Sequence, residues 1–304
     1  MISRLQIHLL AVCSALLLPA SVLGQAGSAG LEFLKVGVGG RAVGMGEAYT
    51  SMAADPSATY YNPAALSLTE NAQLMLMHKE WIQGVKTEFI SGTTAFDRLR
   101  LGIGLNETSI DDIEVRTVPG PPLETFTARN AAIGLSASYQ LDPAWSVGVT
   151  GKFLYEKIYA YDASGYGIDF GTVYTTPWKI RLGAAVANLG SMNALEYQAS
   201  TMPTTIRGGA SYATPVESLD GMLTLSSDVV SFTAEGTTHL HLGGELEFSH
   251  AFSLRAGYQT GYDAKNFSAG AGVRYGLLQF DYAFVPFKEE LGSTHTISLG
   301  IQFE

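Results

Sequence analysis

His239 and His241 alternate in Thr237-Thr238-His239-Leu240-His241, and Glu245 and Glu247 follow on the same strand face. Two imidazoles at alternate positions can hold zinc. A polar lumen lining explains them better, because Leu240, Leu242, Leu246 and Phe248 give the opposite face to lipid. The glycines between Gly37 and Gly46 could pass for a phosphate-binding loop. No strand of a parallel sheet precedes them, however, and no ribose-binding acid is placed to follow. Asn106-Glu107-Thr108 matches a glycosylation acceptor, a pattern too common to carry weight. Serines, histidines and acids occur together nowhere in a nucleophile elbow or a metalloprotease spacing. The chain is therefore read as a non-enzyme, with no catalytic residue, no metal ligand and no cofactor.

The elements that carry these residues are strands. Ile297, Leu299, Ile301 and Phe303 share one face of the terminal segment, with small or polar residues between them. Phe252, Leu254, Ala256 and Tyr258 oppose Ser253, Arg255, Gly257 and Gln259 in the same way, and Leu278, Phe280, Tyr282 and Phe284 oppose Gln279, Asp281 and Ala283. Period-two alternation of this kind suits a barrel with an apolar outside and a polar lumen. Alternation and turn residues give about 14 segments, centred on 72–80, 85–96, 99–108, 126–140, 144–158, 164–175, 178–189, 203–213, 221–231, 237–248, 251–260, 266–276, 277–286 and 294–303. Connections such as Asp97-Arg98, Asp142-Pro143 and Ser249-His250 are very short, whereas 109–125, 190–202 and 287–293 are long or acidic. Short turns on one side and longer loops on the other are the mark of an outer-membrane barrel with both termini periplasmic. The connection Thr214 to Asp220 breaks the parity.

Composition agrees with that class. The chain has 34 Gly, 15 Tyr and 14 Phe with 15% charged residues, and after the N-terminus it contains no apolar run long enough for a membrane helix. A net charge of -10 without a basic cluster excludes a nucleic-acid partner. Arg4 followed by the apolar run Leu9–Leu18 and the small residues near Gly24 reads as a secretory signal over residues 1–26. Cys13, the single cysteine, falls inside it; Val12 is larger than the residue that normally precedes a lipidated cysteine, so plain cleavage is preferred. The domain reading is thus signal 1–26, luminal segment 27–70 and barrel 71–304.

Residues 27–70 do not alternate. A barrel of about 14 strands is too wide for its own side chains to fill, and this segment is the available plug. Asp55-Pro56-Ser57-Ala58 and Asn62-Pro63-Ala64-Ala65 each set a capping residue before proline at the first helical position, which predicts two short helices or turns. The glycines from Gly37 to Gly46 permit close approach to a wall, and Arg41 is expected to pair with an inward acid such as Glu245, Glu247 or Asp281.

The run Gly37-Val-Gly-Gly-Arg41-Ala-Val-Gly44-Met45-Gly46-Glu47-Ala-Tyr49, with Asp55-Pro56 and Asn62-Pro63 after it, resembles the N-terminal signature of the PorV/PorQ family, relatives of FadL-type long-chain fatty-acid transporters. That family usually has Gly where Glu47 stands, Asp at Ala54, Trp at Tyr61 and Gly at Ala65. The resemblance implies an all-β transmembrane antiparallel barrel with a luminal N-terminal segment. It also implies a role in type IX secretion, with translocon proteins or secreted cargo as partners beside outer-membrane lipid. The alternative is a FadL-like passive transporter with a hydrophobic ligand in the lumen. For the secretion reading the docking surface is the long-loop side, chiefly 109–125 and 190–202, the first of which carries Asp111, Asp112 and Glu114 and is stiffened by Pro119, Pro121 and Pro122.

Overall fold

The computed structural model describes residues 30–303, so the expected signal peptide and Cys13 lie outside the described residues. Fourteen strands form a closed antiparallel barrel: β1 (Gln73–Glu80), β2 (Val85–Phe96), β3 (Leu99–Val115), β4 (Glu124–Gln140), β5 (Trp145–Ile158), β6 (Tyr161–Thr175), β7 (Ile180–Met192), β10 (Thr205–Val216), β11 (Gly221–Phe232), β12 (Thr237–Phe248), β13 (Phe252–Gln259), β14 (Phe267–Tyr275), β15 (Leu278–Pro286) and β16 (Ser293–Gln302). The short strands β8 (Ala194–Leu195) and β9 (Gln198–Ala199) pair only with each other. Closure comes from β1 against β16, in the register Gln73↔Gln302 to Glu80↔His295, which leaves no barrel edge unpaired.

Alternation sets the faces as read. Ile103, Leu135, Phe153, Phe170, Leu254 and Phe280 are exposed on the outside, while the inward face carries buried Arg207, Asp228, Glu245, Arg255 and Asp281. Exposed aromatics lie toward both rims, Tyr139, Trp145 and Tyr275 at one and Tyr166, Tyr258 and Phe267 at the other. An apolar band between aromatic girdles is the outer surface of a membrane barrel.

The connection read as 109–125 is largely strand, which corrects the docking-loop boundary. β3 runs on to Val115 and β4 starts at Glu124, leaving 116–123 as the tip. A bulge lets the pairing continue: the register shifts between Ile110 and Ile113, and Asp112 takes a left-handed φ of 56°. The parity exception also contracts, to the four residues 217–220, because Thr214, Pro215 and Val216 pair with Leu223, Met222 and Gly221.

Residues 30–69 cross the inside of the barrel and supply most of its core. Met45, Tyr49, Tyr61 and Leu66 are fully buried and pack with Met75, Met77, Phe89 and Val173 of the wall. Gly30 donates to the carbonyl of Thr201 at 3.0 Å, at the rim of the longer loops. At the opposite rim Arg100 donates to the carbonyl of Thr69 at 3.0 Å, and Phe303 bonds Ala72. Gly30 and Phe303, the first and last described residues, therefore sit at opposite rims.

Candidate functional site

Within the luminal segment two short helices follow the proline signals and the glycines: α1 (Gly40–Gly44) and α2 (Ala58–Tyr61), with a 3-10 turn over Pro63–Leu68. Asn62 caps that turn by accepting from the Ala64 N–H at 3.1 Å, and its amide donates to the carbonyls of Thr50 and Thr172. Pro63 occupies the first position of the turn, where its missing N–H costs nothing. Asp55 accepts from the Ser57 N–H at 2.9 Å and from the Tyr49 hydroxyl at 2.5 Å, and the Pro56 carbonyl accepts from Ser91 at 3.0 Å.

α1 is the element that closes the lumen. Arg41 makes a two-pronged contact to Glu245 at 2.6 and 2.8 Å. Glu245 also accepts from Arg255 at 2.5 Å, and Arg255 reaches Asp281 at 2.7 Å. This alternating chain of two cations and two anions leaves neither buried acid without a partner. Of the three acids named from the sequence, Glu245 takes Arg41 directly and Asp281 is joined through Arg255; Glu247 faces His250 at 3.4 Å. Gly44 stacks on Gly270, and Met45 is fully buried beside Gly243. Gly46, at φ 64°, lies so close to Gly257 that a Cβ on Gly257 would sit 2.0 Å from the Gly46 nitrogen.

On the long-loop side of α1 lies a cavity of about 400 Å³. Its apolar surface comes from Val43, Val285, Trp81, Phe232, Tyr262 and Phe287, and Lys79, Lys265 and Glu47 are among its charged lining. Glu47 adopts a left-handed φ of 60°, the conformation that makes glycine the usual residue at such a position. Burial alone would raise its carboxyl, but Lys265, with His241, Lys79 and Arg207, overcomes that and holds it at about 2. A second cavity of about 80 Å³ opens toward the short-turn rim and is bounded by Arg41, Asp55, Gln279 and Asp281. Val43 and Arg41, on the same helix, thus face two different cavities.

The histidine pair does not form a metal site. His239 stacks on Tyr262 with centroids 3.9 Å apart, and His241 meets the Tyr262 hydroxyl at 3.1 Å, while Glu245 is engaged by the arginines. Among the described residues no group of His, Cys, Asp and Glu is arranged to hold a metal ion. The docking-loop residues lie apart from both cavities. Asp111 pairs with Lys86 at 3.0 Å, Glu114 with Arg116 at 2.5 Å, and Pro119, Pro121 and Pro122 are exposed at the 116–123 tip. Sequence reasoning missed the cavity rings, because Trp81, Tyr262 and Phe287 stand on connections, where no period marks a face. Lys79 was missed as well, although its place after Met75 and Met77 on the inward face of β1 is a signal that could have found it.

Comparison with known proteins bears on this geometry. The CymD monoaromatic hydrocarbon channel superposes with a TM-score of 0.60 at 16% identity, over 88% of this chain and 98% of that one. The Pseudomonas putida toluene transporter TodX gives 0.58 at 13%, over 87% and 96%. A Pseudomonas aeruginosa FadL homologue gives 0.52 at 15%, over 87% and 97%. The fold is FadL-like. At these identities the likeness is one of fold, and it fits the barrel to the bacterial outer membrane. The family model of UPF0164, an uncharacterised protein family, matches residues 19–161, and no curated protein matches.

Proposed function

We propose that this barrel passes small hydrophobic molecules across the outer membrane. They collect in the ring-lined cavity at the long-loop rim, and α1 must shift before they reach the short-turn rim, which faces the periplasm. The observation that carries the reading is the pair of cavities on the two sides of a five-residue helix, one facing Val43 and the other Arg41. Concave sites that are mostly apolar with a few placed polar groups are the usual form of small-molecule sites. The relatives of the same fold are described as a monoaromatic hydrocarbon channel and a toluene transporter, which supports this class of cargo here. The secretion role rests on the N-terminal signature alone, and the loop offered to partners is shorter than the sequence suggested.

Filling the cavity tests the reading. Val285 lines it and packs with Val43, so Val285→Trp places an indole in the space a ligand would use. Uptake of radiolabelled toluene by intact cells of a Gram-negative host is expected to fall at least fivefold relative to the parent protein at equal expression. Unchanged uptake by a correctly assembled variant removes the cavity from the route.

A further inference from the structure

The cavity is not lined as a site for plain hydrocarbons would be. The lining carries Glu32, Glu47, Glu235 and Asp263 against Lys35, Lys79 and Lys265. Asp263 is exposed, and the other charges fall into groups. On one wall Lys35 lies between Glu32, at 2.5 Å, and Glu235, so it is already met by two carboxylates. Lys265 faces Glu47 at 3.3 Å. Lys79 differs from both. It is 5% exposed and donates to the neutral carbonyl of Gly37 at 2.8 Å; Glu47 acts on it through space, but among the described residues no carboxylate lies within ion-pair distance. An ammonium has three donors, and a cavity ligand is free to meet those that Gly37 leaves.

The rings point to the sign of that ligand. Tyr262 has His239 stacked on it at 3.9 Å and the Lys265 ammonium 5.0 Å from its centroid, and Phe232 carries the Lys35 ammonium at 5.2 Å. The chain's own cations thus occupy the faces of Phe232 and Tyr262, two of the four rings that could attract a ligand cation. Trp81 and Phe287, with centroids 6.4 Å apart, together with Val43 and Val285, leave apolar surface for an uncharged body. At about 400 Å³ the space lies near the lower end of ligand sites, which run from about 300 to 1,000 Å³. One ring and its head group fit that volume.

We propose that the cavity selects compact monocarboxylates of the benzoate type, the carboxylate received by Lys79 and the ring held against Trp81 and Phe287. This deepens the transport reading and rests on it. A neutral hydrocarbon would cover Lys79 without supplying an acceptor, whereas a carboxylate supplies both acceptor and charge.

Benzoate, toluene and benzylamine share one ring-sized body and differ in charge. The protein is purified in a non-ionic maltoside, its assembly is checked by heat-modifiable migration, and it is titrated calorimetrically with each. Benzoate is expected to bind at least tenfold more tightly than either of the others. Lys79→Met should weaken benzoate at least tenfold and leave toluene unchanged, and Lys79→Arg should restore most of the loss. If toluene or benzylamine matches benzoate, or Lys79→Met leaves benzoate unaffected, the selectivity is overturned while the transport reading stands. If none of the three binds, both fall together. Should Lys79→Met not assemble, the three titrations on the parent protein still decide.

Discussion

Replacing Arg41 with alanine should release α1 without opening the barrel wall. The wall is held by strand pairing that does not involve Arg41, while α1 is pinned to it by the two hydrogen bonds to Glu245 at 2.6 and 2.8 Å. Breaking a buried ion pair costs about 3–5 kcal/mol when the remaining charge is stranded. That limit does not apply here, because Glu245 keeps Arg255 at 2.5 Å. The loss is then that of the charge-assisted hydrogen bonds themselves, about 2–3 kcal/mol. At about 1.4 kcal/mol per factor of ten, the population with α1 displaced should rise roughly 30- to 140-fold. Met45 ends the helix and is fully buried, so Met45→Cys reports the displacement as its rate of labelling by a small thiol reagent. The labelling rate is compared between Met45→Cys alone and Met45→Cys with Arg41→Ala in the detergent-solubilised protein. Heat-modifiable migration confirms that both barrels are assembled. A change in labelling of less than threefold would falsify the claim that Arg41 holds the helix shut.

Two further outcomes follow from the same contacts. An added Cβ at Gly148 would lie 2.4 Å from the backbone of Pro63 and Ala64, so Gly148→Ala should unseat the 3-10 turn, at an overpacking cost of about 1–3 kcal/mol, and expose residues near Pro63 to proteinase. Gly151→Ala, whose added carbon meets no atom within 4 Å, should leave proteolysis unchanged, and equal resistance of the two variants contradicts the seating. The carboxyl of Glu47 is held at about 2, below its ordinary value near 4.5, so its ionised contact to Lys265 adds stability above pH 4.5 that is lost as pH falls through 2. Thiol labelling of Met45→Cys should be flat from pH 7 to 5, after correction for reagent chemistry, and should rise below pH 4; Glu47→Gln should remove that rise, and a rise it leaves in place assigns the transition to another group.

Much of this architecture was legible because alternation reports the face of each strand. The segments read at 85–96 and 237–248 coincide with β2 and β12, and 277–286 differs from β15 by one residue. The Asn62-Pro63 signal also gave the local structure, since cap and fixed φ act within a few residues. Depth along the lumen was not legible. Alternation marks Gly134, Gly148, Gly257 and Gly270 alike as inward, yet the last three meet the luminal segment while an added carbon at Gly134 would meet only the wall, at Thr150, Lys152 and Gly151. The bulge at Asp111-Asp112 was hidden for a related reason: two acids before a proline-rich stretch read as a loop, while their backbone continues a ladder begun over 20 residues away. The left-handed φ of Glu47 was hidden because its compensation comes from Lys265, 218 residues along the chain.

The central claim is that cargo passes only when α1 moves. Val43 on α1 packs with Ala283 of β15, so Val43→Cys with Ala283→Cys offers a disulfide between helix and wall. Uptake of radiolabelled toluene and benzoate is measured in intact Gram-negative cells carrying the pair in oxidised and reduced form, with the extent of cross-linking read by mass spectrometry. Oxidation should lower uptake at least tenfold, and reduction should restore it to the level of the parent protein. Equal uptake by the fully cross-linked and the reduced protein would contradict passage past α1.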